Sequence, residues 1–332
     1  MKYLLPQTPY FKTNLHTHTT ISDGKLPPEE VKALYKSKGY QVLCITDHNI
    51  IVDHSNMNDP DFLLLTGMEI NLNHEGYRPG LCGKTYHFNL ISKRPDQHWS
   101  PGRILSKYPG GLEYEKDMIC EEMDYSHTPE AANAVIAKAN EMGFLVMYNH
   151  PTWSCHSYTD YAPLKGLWGM EVRNSECCLL GINENNHRVF KELSNLGNKI
   201  FPLGTDDLHS VRAAGLSWIM VGAPQLDYAS VIAALEKGDF YMSCGPEIFS
   251  LNIDNNILKI SCSDAKVISL ESAGRFSRRA VAEEGSAIQE AEFDLTGLKE
   301  KMDGDPSMYV YLTVTAADGT YAATRGYYLN EL

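Results

Sequence analysis

Short apolar runs in this chain end, one after another, in a histidine or a carboxylate, and any fold it adopts has to place those ends. Residues 41–46 read Gln-Val-Leu-Cys-Ile-Thr and lead into Asp47 and His48; residues 62–66 read Phe-Leu-Leu-Leu-Thr, ahead of Glu69. Residues 144–149, Phe-Leu-Val-Met-Tyr-Asn, lead into His150, and 200–204, Ile-Phe-Pro-Leu-Gly, lead toward Asp207 and His209. Runs of this length and composition read as buried strands. Amphipathic stretches lie between them, and strands alternating with helices imply parallel pairing, because parallel strands need a crossover connection. The C-terminal ends of parallel barrel strands share one mouth, so these polar ends are expected to converge there.

Neutral imidazoles and carboxylates together are ligands for first-row divalent ions such as zinc, manganese and iron. On a strand, side chains two apart share a face, so His16 and His18 can grip one ion, and Asp207 and His209 have the same spacing. Glu69 is the best placed acid to be shared between two ions about 3.5 to 4 Å apart, as in two-metal hydrolases. The histidines and acids at the run ends suffice for two or three ions. His54, His74, His98, His127, His156 and His187 lack that context and read as surface or loop residues, with His127 and His156 near enough to the long inter-strand segments to face the site. Asp53, Asp59 and Asp61 read as a solvated loop.

The motifs resemble those of the PHP (polymerase and histidinol phosphatase) superfamily of metal-dependent phosphoesterases. The resemblance rests on Asn14-Leu15-His16-Thr17-His18 through Ser22-Asp23-Gly24, on Pro27-Pro28-Glu29-Glu30, and on Ile45-Thr46-Asp47-His48-Asn49. It continues through Gly67-Met68-Glu69-Ile70, Tyr86-His87-Phe88-Asn89, Asn149-His150-Pro151 and Gly204-Thr205-Asp206-Asp207-Leu208-His209, covering residues from about 10 to 245. It implies a distorted TIM-like barrel of seven β/α units that carries two or three manganese, iron or zinc ions and hydrolyses phosphate esters. Matched position by position, the implied ligands are His16, His18, Asp23, His48, Glu69, His87, His150, Asp207 and His209. The Ser-Asp-Gly context of Asp23 is similar to members acting on small phosphate esters and nucleotides. Asp206 and Asp207 compete for one ligand position, and the family's Asp-x-His pattern favours Asp207. Asp47 is then expected behind the ligands, orienting an imidazole.

At 332 residues with 43% hydrophobic content, two domains with sizeable cores are expected. A formal charge of -13, from 29 basic and 42 acidic residues, disfavours a nucleic-acid duplex as partner. Eight cysteines without a Cys-x-x-Cys pair do not read as a disulfide framework. The apolar start at Tyr3-Leu4-Leu5 is too short for a signal peptide, and no run approaches a membrane span, so a cytoplasmic protein is expected.

Residues 1–245 are assigned to the barrel. Its first helix opens at Pro27-Pro28 with Glu29 and Glu30 in the first turn, buries Val31, Leu34 and Tyr35, and stops at Gly39. Further helices are expected over 129–142, around 183–196 and over 228–237. The proline- and glycine-broken stretch 92–128 interrupts the alternation and reads as a lid or a plain surface excursion. After Gly245-Pro246 the period becomes two, in Phe249-Leu251-Ile253, Leu258-Ile260-Cys262 and Val310-Leu312-Val314, with an Asp318-Gly319 turn. Residues 246–332 are therefore expected to form a small antiparallel β-sandwich.

The expected activity is hydrolysis of a small phosphate ester by a metal-bound water, with Arg173 and Arg212 as phosphate clamps. Two rivals remain: a hydrolase of esters, carbamates or amides using the same centre, favoured if the mouth is poor in cations, and a non-catalytic metal-binding interaction module.

Overall fold

The computed structural model describes residues 1–78, 81–101, 108–302 and 305–332. Seven strands form its first part: β1 (Tyr10–Asn14), β2 (Val42–Ile45), β3 (Leu63–Asn73), β4 (Thr85–Ser92), β5 (Phe144–Tyr148), β6 (Gly169–Asn174) and β7 (Phe201–Thr205). They are hydrogen-bonded in sequence order from β1 to β7. Pairing is parallel for β1 with β2, β2 with β3, β5 with β6 and β6 with β7.

The all-parallel expectation fails at β4, which runs antiparallel to both β3 and β5. The link 74–84 holds no helix among its described residues, and without a crossover the chain can only turn back. This reversal keeps the site together: with β4 inverted its N-terminal end lies at the mouth, and His87 comes opposite Asn71, two positions from Glu69 on β3.

A closed seven-strand barrel is not what the ladders form. β1 and β7 share no ladder; their extensions meet at one isolated bridge, Thr17 with Leu208, supported by Asp207 N donating to His16 O at 3.0 Å. Asp207 has a left-handed backbone (φ 52°), which no strand ladder accommodates, so pairing stops where the ligand side chains begin. Beyond β1 the sheet continues through β8 (Trp218–Gly222) and β9 (Phe240–Ser243), both antiparallel.

Among the described residues the longer helices, packed outside the strands, are α1 (Pro28–Ser37), α2 (Pro129–Glu141), α3 (His187–Asn195) and α4 (Tyr228–Lys237). Three of them start where the sequence favours nucleation. Pro28 opens α1 with Glu29 and Glu30 at the positive dipole end; the Thr128 side chain accepts from Ala131 N before α2; that of Asp227 accepts from Ser230 N before α4. Val31 and Tyr35 of α1 are buried, while Leu34 is only partly so. Ala132, Val135, Ile136 and Ala139 of α2 seal one side of the sheet against Phe88, Val146 and Tyr148. Each large aliphatic side chain buried this way contributes about 1.5–3 kcal/mol.

The C-terminal part is two antiparallel sheets. One joins Lys2–Tyr3 to β10 (Ile248–Asp254), β11 (Ile257–Ala265) and a strand Ile288–Asp294; the other, with Val267–Ser272, Ser277–Val281, Tyr309–Thr315 and Tyr321–Thr324, continues the large sheet at Tyr241 opposite Thr324. Leu251, Leu258, Ile260, Ile268, Leu312 and Val314 fill the space between, joined by Leu4 and Leu5 from the chain start. Phe249, placed on the inner face by strict alternation, is 58% exposed, because a register shift between Ile248 and Ser250 turns it outward. Among the described residues no helix is long and apolar enough to cross a membrane.

Candidate metal centre

All nine side chains singled out as ligands meet at the mouth formed by β1 to β7. Their donor atoms fall into four groups: His18, Asp23, His48 and His209; His16, His18 and Asp207; His16, Glu69 and His150; and His48, Glu69 and His87. Glu69 belongs to two groups. Its Oε1 lies 3.3 Å from His16 Nε2, 3.3 Å from His150 Nε2 and 3.0 Å from His87 Nδ1, while Oε2 lies 3.1 Å from His48 Nδ1. Asp207 Oδ1 sits 3.2 Å from His16 Nε2 and 3.1 Å from His18 Nε2. Asp23 completes the outer side, 3.3 Å from His209 Nε2 and 3.5 Å from His48 Nε2. His16, His18 and Glu69 are fully enclosed, whereas the Asp23 and His209 side chains are 32% and 30% exposed, so the centre opens on that side.

This donor set fits divalent ions. Asp207 Oδ1 is buried without a hydrogen-bond partner, a costly arrangement for a carboxylate unless a cation joins it. The charges lean the same way. Burial pushes His18 down, but the adjacent carboxylates of Asp207 and Glu69 outweigh it and raise the imidazole to about 10. Burial likewise opposes ionisation of Glu69 and Asp207, yet the surrounding imidazoles, led by His87 for Glu69 and His16 for Asp207, hold both carboxyls well below the ordinary range. Burial dominates at His48, which falls to about 3 and offers a lone pair. No nucleophilic side chain is needed among these residues.

The backbone is bent to make the site. His150 (φ 22°) and Asp207 (φ 52°) occupy left-handed conformations disfavoured for their side chains, as does Asn49 (φ 59°) beside His48. Gly24 follows Asp23 because a Cβ there would lie 2.4 Å from the His18 carbonyl.

Other sequence expectations resolve differently. Asp206 does not join the cluster: it is fully buried and accepts from the backbone N–H of Gly215, Leu216 and Ser217 and from the Tyr35 hydroxyl, so Asp207 alone of the pair faces the ligands. Asp47 orients no imidazole directly. It accepts from Thr19 N, Thr19 Oγ1, Ser22 N and Ser22 Oγ, fixing the turn after His18, and reaches that ring through Ser22 Oγ at 3.4 Å. Arg173 donates to Asn185 Oδ1 instead of facing the cavity, and Arg212 lies exposed on the short turn Val211–Ala213. His127 and His156 line no part of this mouth and face one another instead.

Glu171 was missed. Its Oε1 lies 2.6 Å from His16 Nδ1 and accepts from Thr205 Oγ1, while Oε2 accepts from His150 N. The signal was present: an acid inside the apolar strand Gly-Met-Glu-Val has to be paired.

A cavity of about 310 Å³ lies over the centre, walled by Tyr77, Tyr108 and Trp153 and by the amides of Asn49, Asn71 and Asn73. Tyr108, from the insertion 92–128, stacks on His48 with centroids 6.2 Å apart and donates to Asp23 Oδ2. Residues 102–107 of that insertion lie outside the described residues. No lysine or arginine is among the described lining residues.

No family model matches this chain. It is 38% identical over 69 residues to a 5'-3' exoribonuclease of Haemophilus influenzae, a stretch that is 20% of this chain and spans a quarter, 25%, of that protein. Among solved structures it is similar to a two-domain protein of Bacteroides vulgatus containing a predicted PHP-like metal-dependent phosphoesterase, at 15% identity and TM-score 0.41 over 98% of both chains. It is also similar to an amidohydrolase of Chromobacterium violaceum, at 14% identity and TM-score 0.42 over 69% of this chain and 96% of that one.

Proposed function

We propose that this protein hydrolyses a small phosphate ester, a monoester, nucleotide or small diester, at a centre of two or three divalent ions held by the nine clustered residues. The observation that carries the reading is Glu69, which belongs to two donor groups, while Asp207 Oδ1 stands buried between His16 and His18 without a hydrogen bond. Bound ions would supply Lewis acidity toward the phosphoryl oxygens and an activated water. The chain supplies the rest. His16, fixed by Glu171, and His150, fixed through its backbone by the same carboxylate, keep the inner donors in place. Burial and neighbouring Asp23 push the Tyr108 phenol above its ordinary range, so it stays protonated and serves as a neutral hydrogen-bond donor at the cavity wall.

The test is manganese-supplemented hydrolysis of an aryl phosphate monoester beside the matching diester, with His16→Ala as control. Turnover lost in the variant supports the reading; no turnover of either ester removes it. The absence of lysine and arginine from the described lining favours one alternative, a hydrolase of carboxylic esters, carbamates or amides on the same centre. Aryl ester turnover without phosphate turnover would select it.

A further inference from the structure

Outside the mouth, three histidines from separate segments converge beside β4 and β5. His127 Nε2 and His156 Nε2 face each other 3.1 Å apart. His74 is exposed, with its ring centroid 5.8 Å from that of His127. None of the three belongs to the nine-residue centre or lines its cavity.

The geometry points to a second, separate divalent-metal site in which His127 and His156 bind one zinc-like ion through their Nε2 atoms, with water as the remaining donors. Two nitrogens on one tetrahedral zinc, each about 2.05 Å from it, stand about 3.3 Å apart, close to the separation seen here. Both rings are held in place by tyrosines. The Tyr148 hydroxyl lies 2.5 Å from His156 Nδ1, which directs Nε2 outward, and Tyr86 stacks on His127 with centroids 4.4 Å apart and planes within 18°. Tyr86 is itself anchored by its hydroxyl to Asp160 O at 2.7 Å. Facing groups do not compete for the ion: the Asp160 carboxylate is engaged by Lys84 at 2.6 and 2.9 Å. Burial lowers both imidazoles, His156 to about 3, so each is neutral near pH 7 and has a lone pair to give. The partly open position of His127 leaves room for water to complete the shell.

The site is independent of which ester the main centre hydrolyses, and its test reads metal rather than turnover. Full-length protein is stripped with a chelator and titrated with zinc, comparing wild type with His127→Ala and His156→Ala. Wild type should take up one more equivalent than either variant, the double variant should lose no more than a single one, and hydrolysis by the manganese-loaded His127→Ala protein should match wild type. Equal zinc uptake by wild type and a folded His127→Ala protein would overturn the site and leave a plain imidazole hydrogen bond. Should alanine unfold the chain, His127→Gln keeps the volume and gives the same readout.

Discussion

Glu171 Oε1 lies 2.6 Å from His16 Nδ1, both atoms fully enclosed, so one buried carboxylate fixes the tautomer and direction of the innermost imidazole. His16 then presents Nε2 to Glu69 and Asp207. Glu171→Gln preserves the shape but removes the charge. It should weaken metal affinity by about 10- to 100-fold and lower kcat with KM little changed. Manganese titration followed by kinetics at saturating metal checks this; unchanged affinity would show that His16 needs no orienting partner.

The two adjacent aspartates should separate cleanly. Asp207→Ala should lose metal and activity while the protein stays folded. Asp206→Ala leaves three backbone N–H groups, of which that of Ser217 is buried, and the buried Tyr35 hydroxyl without their acceptor, at about 1–3 kcal/mol for each group that water cannot reach. Urea unfolding beside metal analysis distinguishes them, and a stable, metal-free Asp206→Ala protein would reverse the assignment.

Arg173→Ala and Arg212→Ala should leave kcat/KM within about twofold, because neither side chain faces the cavity. Tyr108→Phe should lower it about 3- to 10-fold, the range of one lost hydrogen bond near 1 kcal/mol. A large defect in Arg173→Ala would mean that it swings from Asn185 into the site when substrate is bound.

His156 sets a pH dependence of stability. Burial holds its imidazole at about 3, against 6.5 for an exposed ring, with Asp160 opposing only in part. The unfolded chain therefore takes up a proton near pH 6.5 that the native state refuses. This contribution is fully present above pH 6.5 and is lost as pH falls from there toward 3, at up to 1.36 kcal/mol per unit. Chemical denaturation of metal-stripped protein at pH 7 and pH 5 should show the loss, and His156→Gln should flatten it; equal slopes would place the proton elsewhere.

Much of the site was legible from one dimension. The alternation of apolar runs with helices placed the strands, and the His-x-His spacing brought His16 and His18 to one ion site; Asp207 and His209 fall into different donor groups, because the left-handed backbone at Asp207 breaks strand alternation. The start of α1 at Pro27-Pro28, with Glu29 and Glu30 in the first turn, was readable because helix-start signals are local. What stayed hidden depended on partners far along the chain. The inversion of β4 follows from how 74–84 turns, and it decides that His87 approaches Glu69 at all. Which of Asp206 and Asp207 faces the centre was settled by the loop at Gly215–Ser217, which captures one carboxylate with its N–H groups. Arg173 read as a clamp from its place at a strand end, but the acceptor that holds it, Asn185, is supplied by the following loop. The sequence determined the donors and their spacing; only tertiary packing decided which carboxylates face the ligands and which satisfy backbone, because hydrogen-bond partners for buried charge are contributed by distant segments.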